Sequence, residues 1–167
     1  QGLRALGQLA SPHEGAVLCL TRLESGEVAS GGADGGVCRW RRDGTLAVVA
    51  QLAGSWVWAL GQTADGVLHA ACEDGVVYAL DAADLCVIGR SEATGAPLRT
   101  LCACDETLWL GCADGRLHRL VWTGSYARAG TWLGHSGTIT ALVPLPGGRL
   151  ASAAEDDTVR VWSVDMS

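Results

Sequence analysis

Four aspartates set the frame of this chain: Asp34, Asp74, Asp114 and Asp156 are separated by 40, 40 and 42 residues. Each is followed at a constant offset of six by a large apolar side chain, Trp40, Leu80, Leu120 or Trp162. A period of this size marks a repeat architecture, in which each unit buries its apolar face against the next one. The 167 residues therefore read as one array of four units, too short for two large domains.

Upstream of each Asp lies a strand of small residues, at 27–31, 67–71, 107–111 and 149–153. Downstream lies an alternating strand, at 37–40, 76–80, 116–120 and 158–162. Alternation with period two over this length is a strand signal, and the intervening Asp-Gly pairs are hairpin turns. In the last unit the turn is Asp156-Asp157, and Asp accepts a positive φ less readily than Gly, at a small cost in stability. A further apolar strand precedes each hairpin, at 17–20, 57–60, 98–101 and 139–142, and a fourth fills the connections at 46–52, 85–88 and 126–133. Each unit thus offers strands a, b and c, followed in the first three by a d strand, and the last unit is left without a d of its own. Residues 3–9 read as one more d strand, because the run Arg4 to Leu9 is similar to the run Arg128 to Leu133.

Two units carry a further shared set. Gly134-His135 stands with Ser152, Asp156 and Trp162, and Pro12-His13 with Ser30, Asp34 and Trp40, with a His-to-Asp separation of 21 in both. By period and order the array resembles the WD-repeat β-propeller family over nearly the whole chain. The resemblance implies an all-β propeller of four-stranded antiparallel blades, with repeats at about 10–52, 53–92, 93–133 and 134–167. It also implies that Trp, Ser, His and Asp form a buried hydrogen-bond relay in the first and last repeats. In the middle repeats Ala53 and Thr94 replace the His, Ala70 and Leu110 the Ser, and Leu80 and Leu120 the Trp. Those two blades are expected to hold by apolar packing alone. The Asp that follows Trp in the family is absent, Arg41 and Ser163 standing in its place.

Four repeats are few for a closed ring, since propellers have about four to eight blades. Three arrangements follow: part of a larger propeller, four blades closing alone, or two copies forming an eight-bladed ring in which residues 3–9 complete the other copy's last blade. A free, open half-propeller is disfavoured, because it would expose strand edges and an apolar blade face.

Composition narrows the function classes. A formal charge of −6 is the wrong sign for neutralising a phosphate backbone, so nucleic acid is not expected as a partner. No apolar run approaches the roughly 18 residues of a membrane-spanning helix. The chain opens on Gln1 without a leader pattern, which reads as an excerpt or a processed product. Lys, Asn and Phe are absent, as codon bias in a GC-rich gene would produce, and with them any N-glycosylation acceptor or Schiff-base amine. The seven Cys lie in apolar runs, where they read as small buried hydrophobes in a reducing, intracellular setting.

No catalytic elbow, phosphate loop or metal-binding helix motif occurs, so a non-enzyme without cofactor or metal is expected. Cys102 and Cys104 share one strand face but have no second pair at zinc-knuckle spacing. His13 and His135 read as relay residues, and His69 and His118 as ordinary packed or solvent-edge residues. In the family, the loops entering strand a and those preceding the turn Asp line one rim of the channel. Here they supply Glu14, Trp56, Glu73 and Glu155, with Trp58 nearby. An aromatic among acids suits a peptide bearing Arg or Lys, the competing reading being that Trp56 and Trp58 pack between blades. The expected function is a scaffold presenting a propeller face to protein partners, and the alternative is a substrate-recruiting propeller of an enzyme assembly such as a ubiquitin ligase.

Overall fold

The computed structural model describes residues 12–52 and 55–163. The closing strand expected at residues 3–9 and the His-equivalent Ala53 lie outside them. The described residues form fifteen antiparallel strands and no helix.

The first blade consists of β1 (Val17–Arg22), β2 (Val28–Gly32), β3 (Gly36–Trp40) and β4 (Leu46–Gln51), paired in that order. The second consists of β5 (Val57–Gln62), β6 (Val67–Cys72), β7 (Val77–Asp81) and β8 (Val87–Arg90). The third is β9 (Leu98–Cys104), β10 (Thr107–Cys112), β11 (Arg116–Trp122) and β12 (Tyr126–Leu133). The last has β13 (Ile139–Leu145), β14 (Arg149–Ala154) and β15 (Val159–Ser163), three strands among the described residues.

The turns between second and third strands explain the period. Each chain reversal needs a residue with positive φ, supplied by Gly35, Gly75, Gly115 and Asp157, the last at φ 61°. The preceding Asp side chain accepts the N–H two residues on, from Gly36, Val76, Arg116 and Thr158, which fixes every turn in the same way. Replacing these Asp residues would leave that N–H without its local partner.

Blades stack face to face, and three buried clusters seal the joints. Ala29, Val37 and Leu52 of the first blade share a core with Val57, Leu60 and Leu68 of the second. Val77 joins Leu98 and Leu108, and Leu117 joins Ile139 and Leu150. At about 25 cal/mol per Å² of apolar area, such burial is the main force holding the array. The described blades do not close into a ring: Leu20 of the first blade is 69% exposed, whereas its repeat equivalent Leu60 is 8% exposed.

Candidate partner-binding face at the channel

The relay residues come together in both outer blades. In the last, Trp162 Nε1–H donates to Ser152 Oγ at 2.8 Å, His135 Nε2 lies 2.7 Å from the same oxygen, and His135 Nδ1 lies 2.9 Å from Asp156 Oδ2. In the first blade Trp40 Nε1 and His13 Nε2 are each 2.9 Å from Ser30 Oγ, and His13 Nδ1 is 3.1 Å from Asp34 Oδ1. One proton arrangement satisfies every group: Trp N–H to Ser oxygen, Ser O–H to His Nε2, and His Nδ1–H to the carboxylate.

The two carboxylates are held ionised. Hydrogen bonding by the Thr158 hydroxyl, the Ser136 N–H and His135 holds Asp156 well below the usual carboxylate range. Burial pushes Asp34 up, but the Gly36 N–H, His13 and the Glu14 N–H outweigh it and lower it overall. These are structural anchors, each tying the loop before strand a to the turn after strand b.

A second recurrent device builds the channel. The first strand of every blade carries a bulge at the same place, leaving Leu18, Trp58, Arg99 and Thr140 as the extra residue opposite a single partner step. A bulge re-aims its side chain out of the regular alternation. All four, with Thr138 and Glu155, line one cavity of about 620 Å³ between the blades.

The last repeat matches a sequence family: residues 127–163 fit the WD domain, G-beta repeat. A chain in the crystal structure of the mitotic checkpoint complex superposes over 95% of this chain with a TM-score of 0.85, at 20% identity. The computationally designed Ika4 protein superposes over 98% of this chain and 99% of its own, with a TM-score of 0.79 at 26% identity. The last repeat is a WD repeat, and the described blades have the β-propeller fold. This chain spans about half of the checkpoint chain, 52% of that length. No curated protein matches it by sequence.

Within this propeller-like array the rim residues expected from sequence are not equivalent. Glu73 and Trp58 are engaged by Arg99, which reaches across from the third blade to the second. Its guanidinium forms a two-pronged ion pair with Glu73 and sits 4.2 Å from the centroid of the Trp58 ring. The Trp58 indole N–H donates to the same carboxylate. Burial raises the Glu73 carboxyl, but the bonds from Arg99 and Trp58 outweigh it and lower its pKa. A cation therefore already occupies the aromatic and acidic pair, supplied by the chain itself. Trp56 is different: it is 46% exposed and lies 5.7 Å from Trp58, ring centroid to centroid. Glu14 and Glu155 are exposed as well.

Arg99, Leu18 and Thr140 were missed as channel residues. Their signal was the repeat itself, since each lies one residue after the apolar opener of its strand, as Trp58 does.

The middle blades are not held by apolar packing alone, as their sequence suggested. His69 is fully buried, with Nε2 2.8 Å from Thr63 Oγ1 and Nδ1 2.7 Å from Tyr126 Oη of the next blade. Trp122 of the third blade donates to Asp65 of the second at 3.0 Å, and its ring lies 4.7 Å from that of Tyr126. A polar and aromatic tie between blades two and three thus stands where the relay is missing. Burial also depresses His69, to a pKa of about 4, against the opposing pull of Asp65. His118 is buried too, its Nδ1 2.8 Å from Thr131 Oγ1.

The cysteines divide. Cys38, Cys72 and Cys112 are buried and Cys19 and Cys102 half-buried, whereas Cys86 and Cys104 are exposed, against the expectation that all seven are core residues. Cys86 lies in the 81–86 turn and Cys104 at the end of β9, where an apolar run in sequence continues past the edge of the core. Among the described residues no three His, Cys, Asp or Glu side chains are grouped to hold a metal.

Proposed function

We propose that this chain is a non-catalytic interaction scaffold that binds a protein partner at the channel mouth, with Trp56 as the anchor and Glu155 and Glu14 as flanking charges. The observation that carries this reading is the exposed Trp56 ring beside a Trp whose own face already holds an arginine. A rim that stacks Arg99 on Trp58 against Glu73 has the chemistry to receive a second guanidinium or ammonium on Trp56. WD-repeat propellers serve in general as interaction scaffolds, which supports the broad class. Free thiols throughout, two of them exposed, suit a reducing compartment.

The test is fluorescence anisotropy with labelled peptides that differ only in carrying Arg, Lys or Gln at the centre. Binding to the Arg and Lys peptides is expected, weakened at least tenfold by Trp56→Ala and severalfold by Glu155→Gln. Equal affinity for the Gln peptide, or no loss in Trp56→Ala, would remove the reading.

A further inference from the structure

Every blade has a front face and a back face, and the joints inside the chain show which residues meet. Three residues after each turn Asp comes the back-face knob: Val37, Val77 and Leu117. Six residues before each turn Asp, and at the opening of each first strand, stand the front-face residues. Within the chain the knobs share buried clusters with the front-face pairs Val57 and Leu68, Leu98 and Leu108, and Ile139 and Leu150.

One knob and one front pair have no mate among the described residues. Val159 holds the knob position of the last blade and is 72% exposed, against 0%, 0% and 1% for Val37, Val77 and Leu117. Val17 and Val28 hold the front positions of the first blade and are exposed, with Leu20 beside them. They line an open, largely apolar groove of about 680 Å³ that also reaches Ser30 and Trp40 of the relay. Two apolar faces of this kind are not left to solvent without consequence.

We propose that a second copy of this chain fills the groove, with Val159 of each copy seated between Val17 and Val28 of the other, so that two chains close one eight-bladed ring. The back face of the last blade is the surface the groove is shaped for, because it repeats a joint the chain forms three times within itself. Backbone spacing agrees. At the position facing each front opener stand Gly31, Ala71 and Gly111, where a β-carbon on Gly31 or Gly111 would press on Val57 or Ile139. The last blade has Ala153 there, the same residue as Ala71, which packs with Leu98. Two copies use both faces and leave none over, as closed symmetry requires, and eight blades fall within the four to eight of known rings, whereas three copies would exceed them.

Light scattering coupled to size exclusion, on a dilution series of the whole chain, tests this. The expected mass is twice the 17.3 kDa of one chain. Val159→Glu and Val17→Arg should each halve that mass while the far-ultraviolet circular dichroism stays that of a folded β protein, because both side chains are exposed in the single copy. Mixing the two variants should restore the double mass, one joint being native and the other pairing Arg with Glu. A wild-type chain of single mass, a ladder of larger species, or a double mass that survives both substitutions would each overturn the proposal. Should one variant lose its β spectrum, the other carries the same test from the opposite face.

Discussion

Removing the Ser152 hydroxyl isolates what the relay contributes. Ser152 is 1% exposed, so water does not replace it, and Ser152→Ala leaves two groups unpartnered, the Trp162 N–H and His135 Nε2. At about 1–3 kcal/mol for each buried polar group left without a bond, and with Trp162 only partly buried, the expected loss is about 2–4 kcal/mol. For a chain of this size that lowers the melting temperature by roughly 4–16 °C. The assay is urea unfolding followed by tryptophan fluorescence, with thermal melting as a second reading. A double variant separates the hydrogen bond from packing. The second blade carries Ala70 and Leu80 at these two positions, so Trp162→Leu should cost less in the Ser152→Ala background than in the wild type, by about 1 kcal/mol or more. A Ser152→Ala loss below ~0.5 kcal/mol, or strictly additive variants, would refute the relay as a stabilising unit.

Three further outcomes follow from the same geometry. His69 is buried neutral with a pKa of about 4, against about 6.5 when unfolded, so the unfolded chain binds the extra proton between those values. Stability should therefore fall by up to ~3 kcal/mol as pH drops from 6.5 to 4, and His69→Gln should flatten that slope in equilibrium unfolding. Asp157 occupies a position of positive φ, and Asp157→Gly should stabilise by ~0.5 kcal/mol, the relief of left-handed strain exceeding the added freedom of the unfolded chain; a lower urea midpoint would contradict this. Arg99→Ala should cost about 1 kcal/mol, because the ion pair is half-exposed and the ring contact modest, and Arg99→Lys should recover little of it, lacking the planar two-pronged geometry; full recovery by Lys in the same assay would show that charge alone matters.

Much of the architecture was legible from residues alone, for a local reason. A turn Asp, a residue with positive φ after it, and alternating strands on either side are short-range requirements that any copy of the unit must meet. Asp34, Asp74, Asp114 and Asp156 therefore recur even where Ser, His and Trp do not. The relay from His13 to Trp40 and from His135 to Trp162 was implied by the family resemblance, which the 21-residue His-to-Asp spacing shared by both repeats helped to carry.

What the tertiary structure decided lies between blades, where residues meet that no spacing rule connects. Tyr126 reaches His69 and Trp122 reaches Asp65 across 57 residues, and nothing in either segment announces the other. The rim is the clearest case. From sequence, Trp58 and Glu73 read as an aromatic and an acid for a partner's cation, with packing of Trp58 between blades as the competing reading, and only the packing of the third blade on the second showed Arg99 already there. Exposure was decided in the same way: Val37 and Val159 hold one repeat position and the same residue type, and one is buried while the other is bare because, among the described residues, only the first has a next blade to face.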